Sequence, residues 1–263
     1  MTKPLIFCSL LALMACDSKT ECDGSDTADT DCEEGDDFVG NGGGGGSPDA
    51  DDDGDGFTNA EEEAAGTNPN YEYSRPYTGE YNVGFCDTPP EPTGATGTAS
   101  MVYEGQTYEW PTLALGDVPP NFALMDQHGE QVDLYSFCGK NVMIAMSAGW
   151  CGPCRSFAEE MQGIQDTYRD QNVQILEIIT ADNSNAQPDL AFLQGWASDY
   201  GFSDIPVLQV NPIDADGDGY ADSYDHPNYW FDNDGYIPSI YHLGPDLSVI
   251  SADGGVHDPG SFL

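Results

Sequence analysis

Cys151 and Cys154, two residues apart around Gly152-Pro153, are the side chains best placed to do chemistry in this chain. An apolar, strand-like run (142–148) leads into them through Trp150, and a helix-like run (155–168) follows. A thiol at a helix start meets unpaired N–H groups and partial positive charge, and both favour its thiolate. Such a pair can attack a disulfide and close one of its own. Zinc also uses Cys-x-x-Cys units, but it needs a complementary pair of ligands. This unit stands alone, with no Cys or His pair at matching spacing, so a redox dithiol is the stronger reading.

The elements that must hold the pair alternate. Residues 121–125 and 132–134 flank a turn and predict a hairpin. Residues 142–148 and 173–180 are apolar enough for strands buried on both faces. Between them Phe157, Met161, Ile164 and Tyr168 recur at helical spacing. Pro188 and Asp189 open a second helix, with Leu190, Leu193, Ala197 and Tyr200 on one side. Residues 205–210 read as a strand, and 239–243 with 247–251 as a terminal hairpin. The pattern predicts an α/β fold with a central mixed sheet flanked by helices.

Residues 115–254 resemble thioredoxin-fold proteins of the TlpA/ResA and redoxin type. The resemblance rests on the Gly-x-x-x-Pro-x-Phe-x-Leu run from Gly116 to Leu124 and on residues 134–140 before the first buried strand. Trp150 to Arg155, Ile205-Pro206-Val207-Leu208 and Ile237-Pro238-Ser239 complete it. It implies a βαβ unit followed by a terminal hairpin, and thiol–disulfide exchange needing no cofactor. Cys151, exposed at the helix cap, would attack; Cys154, a turn inside, would resolve the mixed disulfide; Trp150 would shield one side. Pro238 would be a cis-proline set against the dithiol, with the backbone of Ile237 docking substrate; Pro206 is the competing proline. Gly-Pro between the cysteines resembles the reducing members, although related dithiols span potentials from about -270 to -120 mV. Protein disulfides or dithiols would be the substrates, with a membrane electron donor.

The chain departs from that pattern at its proton acceptors. Thioredoxins keep a buried acid six residues before the first cysteine, where Ala145 stands, and TlpA/ResA-like proteins often carry Glu six residues after it, where Phe157 stands. Glu159 and Glu160 follow on what reads as a solvent face. A peroxidase-type redoxin needs Pro and Thr or Ser where Ile144 and Ala148 stand. A copper-carrying role for His226, His242 and His257 lacks the usual three-residue cysteine spacing.

The N-terminus reads as an address. Lys3 and the brief apolar run 5–14 are too short to span a bilayer and predict a secretory signal. Leu13 to Cys16 resembles a bacterial lipobox, which implies cleavage before Cys16, a lipid on its sulfur and an extracytoplasmic, membrane-anchored protein in the periplasm or at the cell surface. Export permits disulfides, and Cys22–Cys32 with Cys86–Cys138 is the economical pairing. The charge is extreme, with 47 acidic against 6 basic residues and a net -41. A nucleic-acid partner is excluded on that balance.

Eighteen of the acids lie in residues 17–63. Residues 16–48, acidic and then glycine-rich, predict a disordered tether. Residues 49–70 hold Asp51, Asp53, Asp55, Gly56, Asn59 and Glu62 at calcium-loop spacing, with Phe57 at the carbonyl position. The run resembles thrombospondin type 3 repeats. Asp214, Asp216, Asp218 and Asp225 repeat the spacing, with Tyr220 at the carbonyl position, inside an insertion at about 211–236. Oxygen-only ligands suit Ca2+ in a structural role. Residues 71–114 predict a strand-poor preface to the thioredoxin-like domain, residues 115–263. A rival to the enzyme is a calcium-stabilised surface lipoprotein that uses the fold only as a binding scaffold.

Overall fold

The computed structural model describes residue 47 and residues 49–210, 230–252 and 258–263. Its centre is a five-stranded mixed sheet. Five strands contribute: β5 (Asn141–Ala148), β6 (Val173–Ala181), β7 (Val207–Gln209), β8 (Ser239–Leu243) and β9 (Val249–Ser251). Their order is β7-β6-β5-β8-β9; β5, β6 and β7 run parallel, and β8 returns antiparallel to β5. A parallel pair leading through a helix, followed by an antiparallel hairpin on the other side of the first strand, is the thioredoxin fold. Residues 142–148 of β5 are buried without a break, as a central strand covered on both faces must be.

Both long helices pack on one face. α2 (Gly152–Tyr168) buries Cys154, Phe157, Ala158, Met161 and Gln165, a stripe at helical period. α3 (Leu190–Tyr200) starts where Asp189 accepts the Phe192 N–H at 2.8 Å, and it stops at Gly201, left-handed at φ 70°. The two helices share a core with Met143, Ala145, Ile175 and Ile179. The opposite face is covered by the preface and the early hairpin: Tyr71, Tyr77, Tyr81, Leu124 and Val132 join Ile144, Met146 and Ile178.

The expected hairpin is β3 (Ala123–Met125) with β4 (Gln131–Asp133). The preface is richer in strands than expected. It contains β1 (Gly97–Tyr103) and β2 (Gln106–Thr112), paired over their full lengths. Glu104 and Gly105, at φ 50° and 81°, make the turn whose twist matches such strands. Most of their side chains face solvent, which is why no apolar alternation announces them. α1 (Asn59–Ala65) follows the first acidic loop behind a capping box formed by Thr58 and Glu61.

The Cys86–Cys138 disulfide fastens the preface to the domain. Arg75, Arg169 and Lys140 do the same. Arg75 pairs with Asp133 at 3.1 Å, and Arg169 pairs with Asp204 and donates to the Glu80 carbonyl at 2.9 Å. Lys140 donates to Asn82 Oδ1 at 3.0 Å, and Arg155 to Asn183 Oδ1 at 2.6 Å. Among the described residues no helix is long and apolar enough to cross a membrane.

Candidate active site

β5 ends at Ala148, and the chain turns through Gly149 and Trp150 into α2. Cys151 is the N-cap of that helix, and its sulfur accepts the Cys154 N–H at 3.1 Å. The two cysteines form a disulfide. Cys154 is fully buried, as its place in the α2 stripe requires. Cys151 departs from expectation: it is 4% exposed rather than open to solvent. The cover is Ile237, which packs on the pair together with Ala148 and Ala181. The Ile237 carbonyl oxygen lies 3.5 Å from Cys151 Sγ. Ile237–Pro238 is the cis peptide bond of the described residues, and Pro206 is not cis.

Trp150 is 52% exposed, and its indole N–H donates to Asn185 Oδ1 at 3.0 Å. It is turned towards the loop after β6, and Ile237 takes the covering role expected of it. Arg155 ties the same loop down, donating to Asn183 and to the Gly149 carbonyl. Gly149 allows this closeness, since a Cβ there would stand 2.8 Å from the Asn183 nitrogen. A cleft of about 410 Å³ opens beside the turn, lined by Arg155, Asn183, Phe192, Trp196 and Tyr200.

Ala145 and Phe157 are buried apolar residues, and Glu159 and Glu160 face solvent. Ile144 and Ala148 offer no hydroxyl near Cys151. His242 is buried on β8 with its ring 4.5 Å from that of Phe262. One acid escaped the sequence reading. Glu177 is wholly buried in the middle of β6, and its only signal was a single charge inside the apolar run 173–180.

The first acidic loop forms a second cluster. Single carboxylate oxygens of Asp51, Asp53 and Asp55 all lie within 4.8 Å of one another. Asp51 accepts the Gly54 and Gly56 N–H groups at 2.7 and 3.1 Å, and Asp55 accepts that of Phe57 at 2.8 Å. The remaining oxygens Asp53 Oδ2, Asp55 Oδ2 and Glu62 Oε2 are buried without a partner. Burial, then the charges of Asp53 and Asp55, push the Glu62 carboxyl up to about 7. Three orphaned carboxylate oxygens are what a cation site leaves when its ion is not counted, so these residues fit a hard divalent cation. Asp214, Asp216, Asp218, Tyr220, Asp225, His226, His257, Cys16, Cys22 and Cys32 lie outside the described residues.

Residues 115–225 match the AhpC/TSA family. Residues 51–70 match the bacterial TSP3 repeat. Over 106 residues the chain is 28% identical to the thiol-disulfide oxidoreductase ResA of Bacillus cereus, covering 38% of this chain and 60% of that one. The ResA of Halalkalibacterium halodurans is 32% identical over 104 residues, covering 39% and 56%. The thioredoxin-like protein YneN of Bacillus subtilis is 28% identical over 141 residues, covering 53% and 78%. The chain thus spans less than two thirds of the length of either ResA protein. The AhpC/TSA segment contains β5, α2 and the dithiol, and it stops before Pro238.

Proposed function

We propose that this protein is an extracytoplasmic thiol–disulfide oxidoreductase, lipid-anchored through Cys16, that reduces protein disulfides with Cys151 and Cys154. The observation that carries the reading is the 3.5 Å approach of the Ile237 carbonyl to Cys151 Sγ, at the N-cap of a helix. It sets a backbone acceptor beside the attacking sulfur, where an extended substrate strand can pair as its disulfide arrives. The Cys151 thiolate attacks one substrate sulfur, forms a mixed disulfide and releases the other as a thiolate. Cys154 then attacks Cys151 Sγ, closes the internal disulfide and expels the second substrate sulfur. Two electrons pass from the dithiol to the substrate. A membrane-bound dithiol donor returns them.

The names of the similar ResA proteins support this reading, as does the Gly152-Pro153 spacer. Pro238 and Ile237 serve as the docking edge, Arg155 lines the neighbouring cleft, and Trp150 stands exposed beside the dithiol. Calcium in the first loop, held by Asp51, Asp53, Asp55, Glu62 and the Phe57 carbonyl, would neutralise the orphaned carboxylates and hold the exit of the tether; it takes no part in the exchange. Calcium at Asp214, Asp216, Asp218, Asp225 and the Tyr220 carbonyl would likewise be structural, clamping the insertion at about 211–236. A peroxidase has less support, because Ile144 and Ala148 supply nothing to bind a peroxide.

The deciding experiment is trapping with the full chain. Cys154→Ser should hold substrate proteins as mixed disulfides on Cys151, released by reductant, and Cys151→Ser should hold none. Exchange activity that survives Cys151→Ser would remove the enzyme reading and leave the binding scaffold.

A further inference from the structure

The exchange described above needs Cys154 as a thiolate, and a wholly buried thiol cannot hand its proton to solvent. The residues standing where related proteins keep an acid are Ala145 and Phe157. Beside Ala145, in register on the neighbouring parallel strand, stands Glu177. Neighbouring strands are about 4.8 Å apart and in-register side chains share a face. The Glu177 carboxylate therefore enters the layer between the sheet and the helices α2 and α3, flanked on β6 by Ile175 and Ile179.

Two polar atoms in this layer lack a bond. Glu177 Oε2 accepts the Trp196 indole N–H at 2.8 Å, whereas Oε1 is buried without a partner. The Ser147 hydroxyl, two residues beyond Ala145 on the same face of β5, is likewise buried; it makes no well-formed hydrogen bond but stands near enough to Glu177 to pull on its carboxylate. Ser147 adjoins Ala148, whose carbonyl accepts the Cys151 N–H at 3.0 Å, so it lies at the foot of the dithiol turn. Cys154 heads the α2 stripe that continues over this face as Phe157, Ala158 and Met161. An acid, a hydroxyl and a thiol thus follow one another along a single dry layer.

We propose that Glu177, reached through the Ser147 hydroxyl, takes the proton from the Cys154 thiol in the resolving step. The proposal rests on the dithiol reading. Once Cys151 has formed the mixed disulfide, the Cys154 S–H proton passes to Ser147, whose own proton passes to the Glu177 carboxylate. The Cys154 thiolate attacks Cys151 Sγ, and the bond to the substrate sulfur breaks. The proton leaves Glu177 when the dithiol is next reduced.

The surroundings suit a base for a thiol. Burial pushes the Glu177 carboxyl up to about 7, against the opposing pull of Trp196 and Ser147. A carboxyl raised in this way holds a proton more firmly than an ordinary one and is better matched to accept it from a thiol. From α2 the facing titratable group is Cys154. From α3 it is Tyr200, whose phenol is raised by burial and, more weakly, by the Glu177 charge, with Arg155 opposing. From β5 and β7 the in-register neighbours, Ala145 and Val207, carry no charge.

The test uses the reduced full chain and a chromogenic aryl disulfide in rapid mixing. The first equivalent released reports attack by Cys151, and the second reports resolution by Cys154. In Glu177→Gln the first phase should stay within about twofold, while the second slows by about tenfold or more near neutral pH. That deficit should shrink only as pH rises beyond the thiol's own ionisation, which burial places above the ordinary ~8.5. Ser147→Ala removes the relay hydroxyl with little loss of packing and should slow the same phase, which keeps the test open should Glu177→Gln not fold. Glu177→Asp should restore part of the rate. An unchanged second phase and pH profile in both variants, or equal slowing of both phases, overturns the proposal. A wild type that releases no second equivalent overturns the dithiol reading with it.

Discussion

The Trp196 indole N–H donates across 2.8 Å to Glu177, a carboxylate set among apolar side chains. Its thermodynamic signature can be measured apart from catalysis. A carboxyl whose folded pKa is raised binds its proton more tightly folded than unfolded. The stability it contributes is complete below the ordinary value of 4.5 and is lost as pH rises to about 7. Against Glu177→Gln, wild-type stability should fall by about 3 kcal/mol across that window and run parallel above it. Urea midpoints at half-unit pH steps provide the check; parallel curves throughout would mean that the carboxyl keeps its ordinary affinity.

The first acidic loop predicts a cation-dependent stability. With dissociation constants on the order of 0.1–1 mM, calcium at 10 mM should stabilise the chain by about 1–3 kcal/mol. Glu62→Gln removes a buried, unpartnered oxygen and should abolish most of that gain while raising the stability of the calcium-free form. Thermal midpoints with and without calcium, and heat on titration, read both effects. Magnesium, which demands tighter octahedral geometry, should do far less.

Replacing Cys86 and Cys138 together by Ser should cost about 2–4 kcal/mol, because the bridge spans 52 residues of sequence. The rates of the Cys151–Cys154 exchange should not change. A drop in those rates would show that the preface shapes the active-site turn as well as covering the sheet.

Gly235 tests how the β1–β2 hairpin supports the docking edge. It adopts φ 79°, and a Cβ there would stand 2.6 Å from Met101 Sδ and 3.1 Å from Trp110. Trp110 in turn donates to the Asp232 carbonyl at 2.9 Å. Gly235→Ala should cost about 1–3 kcal/mol through backbone strain and overpacking. Adding Met101→Ala should return the overpacking part alone. If the hairpin holds the 231–237 loop in place, Gly235→Ala should also weaken substrate binding more than it slows turnover.

Much of this architecture could be read from the sequence because its physics is local. β5 and β6 are buried on both faces, so their apolar runs are unbroken, and the α2 stripe repeats at helical period. The β1–β2 hairpin escaped because most of its residues face solvent and leave no regular alternation. The site was legible in its cysteines and only partly in what surrounds them. Cys151 is covered by Ile237, 86 residues away, and Glu177 acquires its neighbours through strand register and through Trp196, 19 residues on. Such pairings belong to topology, and no window along the chain contains both members.

The four described cations, Arg75, Lys140, Arg155 and Arg169, all hold the chain's own carbonyls, amides and carboxylates. With 47 acids elsewhere, an approaching molecule meets a field of essentially one sign before it meets any contour. Coulomb steering then sorts partners by approach rather than by fit: basic proteins arrive faster and acidic ones are turned away. That ranking belongs to dilute surroundings, and it fades once salt shortens the screening length to about 10 Å or less.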